Sequence, residues 1–129
     1  MPKVTQLVLT LQSRPGVLAA VCNALADAGV NIEALCAPEA PGKGKVRLVV
    51  NDAGRAEAAL KAAKIRAGKE EAITVTLENR PGALAEAAGK LVAAKVNIRC
   101  AYATTTGPGQ ATVVLTVSNA ARALAALSG

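Results

Sequence analysis

Apolar residues recur along the chain with two different spacings, and these spacings predict its secondary structure. Over residues 4–11 they occupy every second position on one face: Leu7, Leu9 and Leu11. Such alternation predicts a β-strand with one buried face. Over residues 15–28 they recur at intervals of three and four: Leu18, Val21, Cys22 and Leu25. This second spacing predicts an amphipathic helix, which Gly29 would end.

The same two spacings continue to the end of the chain. They predict further strands at residues 31–37, 45–50, 73–77, 96–103 and 111–117, and further helices at residues 52–64, 81–94 and 119–127. On the second strand we expect three residues to share one face: Ile32, Ala34 and Cys36. Segments 38–44 and 104–109 are rich in Pro, Gly or Thr and predict turns.

One stretch of the sequence occurs twice. Residues 14–19 read RPGVLA and residues 80–85 read RPGALA, and VNI occurs at 30–32 and again at 96–98, so both motifs recur 66 positions apart. A fixed period of this length indicates two copies of one supersecondary unit. We therefore predict one unit over residues 1–70 and a second over residues 71–129.

Each predicted unit has the order βαββα, and this order defines the fold class. The prediction is α+β, with two ferredoxin-like βαββα(β) units whose antiparallel sheets carry their helices on one face. Residues 64–71 could supply a short fourth strand to the first unit. The second unit lacks residues for a final strand, so its strand at 73–77 is predicted to present an uncovered edge.

The repeated Arg-Pro-Gly turn has the chemistry of a carboxylate site. A helix N-terminus offers unpaired N–H groups and a partial positive charge, and Ser13 is expected to cap the first of these helices. Gly16 and Gly82 are expected to let a ligand or a strand approach the backbone closely. Asn31 and Asn97 offer a donor and an acceptor to an ammonium or amide group. Turn formation and local backbone pairing explain the same residues without any ligand.

Composition narrows the function. The 129-residue chain is 52% hydrophobic, and no apolar run is long enough to span a membrane. It contains no His, Trp or Phe, and Tyr102 is its single aromatic residue. We therefore predict no metal site, no cofactor and no enzymatic activity, because the usual general base and zinc ligand are missing. The lack of stacking aromatics argues against a nucleic-acid partner. Three cysteines without a CxxC motif, and no signal peptide, predict reduced thiols and a cytoplasmic protein.

A net charge of +6 leaves a second interpretation open. Four cationic residues lie two or three positions apart near the end of the predicted second helix: Lys61, Lys64, Arg66 and Lys69. They form either a solvated basic face or a surface for an anionic partner.

The run Leu-x-x-Arg-Pro-Gly, followed by a helix and Val-Asn-Ile, resembles the ACT domain, a small regulatory module that binds amino acids. The resemblance covers most of both halves, and the whole chain resembles stand-alone bacterial proteins built from two such domains. It implies a ligand where two units meet, between the turn of one unit and the second strand of its neighbour. Some family members have a polar residue where this chain has Leu11 and Leu77. The implied ligand-binding residues are Ser13, Arg14, Pro15, Gly16, Asn31, Asn79, Arg80, Pro81, Gly82 and Asn97.

The sequence therefore predicts a non-catalytic regulatory protein that binds a small ligand, an amino acid by resemblance, and acts on an enzyme partner. A homodimer is predicted because small units and an uncovered strand edge favour association. Two alternatives stay open: a ligand-free protein-interaction module, and an anion or nucleic-acid binder that uses the basic face.

Overall fold

The computed structural model describes residues 3–38, 41–105 and 109–128. These residues form two compact units, which are treated separately below. The described residues between 5 and 70 form the first unit; those from 71 onward, together with Lys3 and Val4, form the second. Both units follow the order βαββα, which confirms the predicted α+β class with two ferredoxin-like units.

The first unit places two helices on one face of an antiparallel sheet. Its elements are β1 (Lys3–Gln12), α1 (Val17–Asp27), β2 (Ile32–Cys36), β3 (Lys43–Val50) and α2 (Ala53–Ala62). Strand β3 lies between β2 and β1, with Leu9 opposite Val46 and Leu35 opposite Leu48. The predicted elements are therefore present, with ends that differ by at most two residues.

The second unit repeats this arrangement. Its elements are β4 (Gly68–Glu78), α3 (Ala83–Ala93), β5 (Ile98–Thr105), β6 (Gln110–Val117) and α4 (Ala120–Ser128). Strand β6 lies between β4 and β5, with Val75 opposite Val113. Strand β4 is longer than predicted because polar residues that precede Ile73 also adopt the extended conformation.

Each unit has its own core between the sheet and its helices. In the first unit the fully buried side chains come from both layers: Leu7, Leu9, Val21, Leu25, Leu48, Ala56 and Leu60. Burial of one such leucine stabilises the fold by about 1.5–3 kcal/mol. The predicted helix stripe is confirmed at Val21 and Leu25, whereas Leu18 is 38% exposed. Leu18 lies beside the turn that precedes α1, so it is close to the candidate site.

Strands β2 and β5 contain a β-bulge that changes which face their residues occupy. The register shifts between Ile32 and Ala34, so Ile32 packs on the helix-side core while Ala34 pairs with Val49 on the other face. The prediction that Ile32 shares a face with Ala34 and Cys36 is therefore wrong. An extra residue in one strand breaks the two-residue period on which the prediction rested.

The beginning of β4 supplies the fourth strand predicted for the first unit. Gly68–Glu70 belongs to that unit, and the Gln6 side-chain Nε2 donates to Glu70 Oε1 at 2.6 Å. The Arg47 Nε donates to the same oxygen at 3.1 Å. Gln6 is fully buried, although alternation alone would place it on the polar face.

The strand edge predicted to be uncovered in the second unit is occupied at its start. Lys3 and Val4 belong to this unit, and Lys3 Nζ lies 3.9 Å from Glu71 Oε1. The predicted bare edge is therefore wrong for this end of β4, because β1, to which Lys3 and Val4 belong, is its neighbour in the sheet. The predicted turns at 38–44 and 104–109 fall partly outside the described residues, and Thr104 and Thr105 belong to β5.

Candidate functional site

Both Arg-Pro-Gly turns adopt the same backbone geometry. Gly16 and Gly82 are the N-cap residues of α1 and α3, with φ values of +88° and +89°. The prediction that Ser13 caps α1 is wrong, since Pro15 and Gly16 lie between Ser13 and the first helical residue, Val17. The Ser13 backbone instead donates to the Gly42 carbonyl at 2.6 Å.

The backbone conformation at these two positions favours glycine. A Cβ added at Gly16 would meet no atom within 4 Å, and one at Gly82 would meet only an Arg80 nitrogen at 3.8 Å. The expected close approach of another protein segment is therefore not seen at these positions. The left-handed φ explains the glycine, because an L-residue pays about 1–2 kcal/mol to adopt that conformation.

The two helices that follow these turns differ from the other two helices at their N-termini. Asp52 caps α2 by accepting from the Arg55 N–H at 3.0 Å, and Asn119 accepts from the Arg122 N–H at 3.0 Å at the start of α4. Gly16 and Gly82 have no side chain and provide no such cap. The Val17 and Ala83 N–H groups donate to the Arg14 and Arg80 carbonyls at 3.4 and 3.3 Å, so the N–H groups that follow them in the first turns of α1 and α3 are the ones available to a bound carboxylate.

The arginines of the two turns have different neighbours. Arg80 Nε donates to Glu78 at 2.8 Å and Arg80 Nη2 donates to Glu86 at 2.9 Å. Arg14 Nε donates to the neutral Gln12 side chain at 2.9 Å, and within the described part of the chain its guanidinium makes no ion pair. The positive charge of the second turn is therefore neutralised, whereas no described residue neutralises that of the first turn.

The ion pair in the second turn shifts the pKa values of both Arg80 and Glu86. The hydrogen bond that Arg80 donates to Glu86, followed by the one that it donates to Glu78, raises the pKa of Arg80 above its ordinary value. The Arg80 hydrogen bond lowers the pKa of Glu86. Glu86 also lies in the first turn of α3, whereas the first turn of α1 carries no acidic residue. A carboxylate ligand would therefore meet repulsion at α3 and attraction at α1.

Two cavities adjoin the turn of the first unit. One has a volume of about 360 Å³ and is lined by the turn, by α1 and by Ile65. The other, about 130 Å³, reaches from Ser13 and Leu18 to Ala37 and Pro38 after β2. Arg14 and Leu11 line both. Leu11 thus gives both cavities an apolar wall. This is the position at which some members of the resembled family have a polar residue.

The asparagines of the second strands lie away from the turn of their own unit. The Asn31 N–H donates to Asn51 Oδ1 at 2.9 Å, beyond the last residue of β3. Ser13 pairs with Gly42, just before the first residue of β3. The eight residues of β3 lie between these two hydrogen bonds, and an extended strand of that length spans about 26 Å. Asn97 is placed like Asn31, and its N–H donates to Ser118 Oγ at 3.0 Å.

The polar residue of the second turn is held by its neighbours. The Asn79 backbone donates to the Gly109 carbonyl at 2.7 Å, and Asn79 Nδ2 lies 3.4 Å from Thr105 Oγ1. Pro81 lies beside Arg80, whose Nη1 donates to the Pro81 carbonyl at 3.3 Å. The polar groups of the second turn therefore have hydrogen-bond partners among their own neighbours.

The residues that distinguish the turns were not among the predicted site residues. Gln12 and Glu78 occupy equivalent positions of the repeat, as do Ala20 and Glu86, since each pair is 66 positions apart. Comparison of the two copies position by position would have found them. Within the described residues there is no group of three or more His, Cys, Asp or Glu side chains that could hold a metal ion.

Two comparisons with known proteins identify the family. The model of the AHAS small subunit-like ACT domain matches residues 7–65, which lie in the first unit. The crystal structure of protein BT0572 from Bacteroides thetaiotaomicron superposes with a TM-score of 0.91 at 31% identity, covering 98% of this chain and 87% of that one. The chain belongs to the ACT-domain family. The resemblance seen at the Arg-Pro-Gly turns is thereby confirmed.

Other ACT-like structures are similar in fold. The ligand-free regulatory subunit of aspartate kinase from Thermus thermophilus has a TM-score of 0.73 at 20% identity, covering 99% of this chain and 90% of that one. The corresponding subunit from Thermus flavus gives 0.68 at 19% identity, with 98% and 90% covered. No curated protein sequence matches significantly. No helix in the described part of this ACT protein is long and apolar enough to cross a membrane.

Proposed function

We propose that this ACT-domain protein is a non-catalytic regulator that binds an amino acid at the Arg-Pro-Gly turn of its first unit. The observation that carries the proposal is the difference between the two arginines. Arg14 has a neutral neighbour, while Arg80 is paired with Glu78 and Glu86. A cation that has no carboxylate partner among the described residues, beside an uncapped helix N-terminus, has the chemistry that a ligand carboxylate needs.

The surroundings of Arg14 provide the remaining contacts. The carboxylate would accept hydrogen bonds from the guanidinium and from the N–H groups at the start of α1. The Gln12 and Ser13 side chains offer neutral oxygen acceptors for the ammonium group. The cavity of about 360 Å³ beside the turn has an apolar wall and a size typical of small-ligand sites.

The second turn has a structural role in this proposal. By residue type alone the second turn has the fuller polar set, since Asn79 stands where the first turn has Ser13. The ion pairs support the opposite order, because a bound carboxylate at α3 would have to displace Glu86 from Arg80. Asn31 and Asn97 are assigned no contact with the turn of their own unit.

Regulation would follow from a difference in ligand affinity between two packing states of the protein. The similar structures include proteins named as regulatory subunits of aspartate kinase, which supports an enzyme as the regulated partner. We further propose a cytoplasmic homodimer, since units of this size gain stability from additional burial. Light scattering after size exclusion should give the mass of two chains; the mass of one chain would contradict the dimer.

Calorimetric titration with each of the twenty amino acids tests the proposal. We expect saturable binding of one amino acid, or of one chemical class. Thermal unfolding should confirm it, because a ligand at about 100 times its dissociation constant adds about 2.7 kcal/mol of stability. If no amino acid binds, the protein is instead a ligand-free interaction module of the ACT fold.

A further inference from the structure

Another cavity of the first unit, distinct from the two beside the turn, lies between the end of α2 and the start of β4. It is an open cleft of about 500 Å³, and its rim carries four cationic side chains: Lys61, Lys64, Arg66 and Lys69. Ile65 and Ala67 give it an apolar floor. The amino-acid site proposed above does not use these cations, and the cleft is named here the α2–β4 cleft.

The charge of the α2–β4 cleft is unbalanced. Glu57 is the only carboxylate among the described residues that line it, and it lies 3.5 Å from Lys69 Nζ. Four cations against one carboxylate leave an excess of three positive charges, half of the net charge of the chain. The side chains of Lys61, Lys64 and Arg66 form no ion pair or hydrogen bond with any other described residue.

The helix end does not account for these lysines. Lysine near a helix C-terminus often binds the last carbonyl groups. Here the backbone satisfies those carbonyls, since the Lys64 N–H donates to Lys61 O at 3.0 Å and the Ile65 N–H donates to Leu60 O at 2.8 Å. The ammonium groups are therefore available for a ligand, and their mutual repulsion is relieved when an anion binds between them.

We propose that the α2–β4 cleft binds a small molecule that carries a diphosphate group. A diphosphate has two to three negative charges at neutral pH, which matches the excess in the cleft better than a single carboxylate does. Lysine and arginine are the side chains that most often bind phosphate. The diphosphate could be free or belong to a nucleotide, and the apolar floor formed by Ile65 and Ala67 favours a ligand with an uncharged part.

A long nucleic acid fits the observations less well. The cations surround one concave cleft instead of following an extended path, and no aromatic residue for base stacking lines it. A bound oligonucleotide is therefore treated as one outcome of the test that would overturn the proposal.

Calorimetry with adenosine diphosphate and with inorganic pyrophosphate tests the proposal. The cleft variant combines Lys61→Gln, Lys64→Gln and Arg66→Gln. The control combines Lys43→Gln, Lys95→Gln and Arg99→Gln, which removes the same charge from exposed positions outside the cleft; Lys95 also shares the positive φ of Lys64. We expect the cleft variant to weaken binding by at least about tenfold, since each charged contact contributes about one factor of ten or more. The control should stay within about threefold.

A variant that strengthens binding guards against a loss caused by unfolding. Glu57→Gln removes the carboxylate of the cleft and frees Lys69, so it should raise the affinity several-fold, while Glu33→Gln at an exposed position should not. Arg14→Gln should leave diphosphate binding unchanged, which separates this site from the amino-acid site.

Three results would overturn the proposal. The first is no saturable binding of either probe between about 50 and about 200 mM salt. The second is equal weakening by the cleft variant and its control, which would indicate general charge attraction. The third is tighter binding of a single-stranded oligonucleotide than of either probe, lost with the same three side chains. Preference for adenosine diphosphate over pyrophosphate would identify a nucleotide source within the proposal.

Discussion

The two Arg-Pro-Gly turns share their backbone but differ in their charge. Both begin a helix at a glycine with a φ near +88°, and neither helix has a side-chain cap. One arginine is paired with two glutamates, whereas the other faces a glutamine. The repeated motif therefore preserves the turn, while the residues that contact its arginine differ between the two copies. Under the proposed function, the two positions occupied by Gln12 and Ala20 in one copy and by Glu78 and Glu86 in the other decide which turn binds a ligand.

Moving the acidic residues into the first turn should have the largest effect. The double variant Gln12→Glu and Ala20→Glu reproduces the residues equivalent to Glu78 and Glu86, and should neutralise Arg14. We expect amino-acid binding to fall by more than about a hundredfold, or about 3 kcal/mol, because the ligand carboxylate would also meet like charges. Calorimetry is the measurement.

The single variant Ala20→Gln is the control for the added volume. Ala20 lines the cavity beside the turn, so a longer side chain could obstruct it without any charge. If Ala20→Gln abolishes binding as fully as the double variant does, the comparison rests on space and not on charge.

Removal of each arginine in turn should sharpen the comparison. Arg14→Gln is expected to weaken amino-acid binding by about 1.5–3 kcal/mol, the contribution of a hydrogen bond to a charged group. Arg80→Gln should change the affinity little, because the guanidinium of Arg80 is already paired with Glu78 and Glu86. Equal losses in the two variants would show that the turns do not differ in function.

The shared backbone of the turns should appear in stability. Gly16→Ala and Gly82→Ala should each lower the free energy of unfolding by about 1–2 kcal/mol, since the left-handed φ is unfavourable for alanine. Gly89, inside α3 with open space at its Cβ, is the matched control. Gly89→Ala should stabilise the protein by about 0.5–1 kcal/mol. Denaturant unfolding measures all three, and a neutral Gly16→Ala would argue against strain.

The smallest expected effect is a dependence of stability on pH, which arises from the Arg80–Glu86 pair of the second turn. The folded-state pKa of Glu86 is lowered by Arg80, so the pair stabilises the fold above the unfolded-state pKa of a glutamate, about 4.3. That stabilisation is lost as the pH falls through the lowered pKa. Carboxyl NMR titration should show the pKa of Glu86 rising in Arg80→Gln. Both groups are exposed, so added salt should reduce the difference.

The sequence predicted the positions of the helices and strands better than it predicted which residues lie on the buried face of each strand. Strong periodicity at Leu7, Leu9, Val21 and Leu25 identified β1, α1 and the core between them. The bulge after Ile32 could not be read from an alternation that looks regular. Burial of Gln6 depends on Glu70, which is 64 positions away, and local patterns contain no information on such a contact.

The candidate site was predictable only in its backbone. Pro and Gly at a strand-to-helix boundary indicated the turn, although Gly16 and not Ser13 is the N-cap. The family resemblance implied a contact of Asn31 with the turn of a neighbouring unit, which stays a prediction; within one unit Asn31 and the turn lie at opposite ends of β3. Neutralisation of Arg80 by Glu86 depends on a helix that brings residues six positions apart together, and it becomes evident only when side-chain distances are known.

The most direct test of the account is a backbone amide NMR titration with each of the twenty amino acids. We expect a binding amino acid to shift the amide signals of Gly16 and Val17 and to leave those of Gly82 and Ala83 in place. Equal shifts at both turns, or shifts at Gly82 and Ala83 alone, would contradict the assignment of the ligand site to the first turn, where no described carboxylate pairs with Arg14.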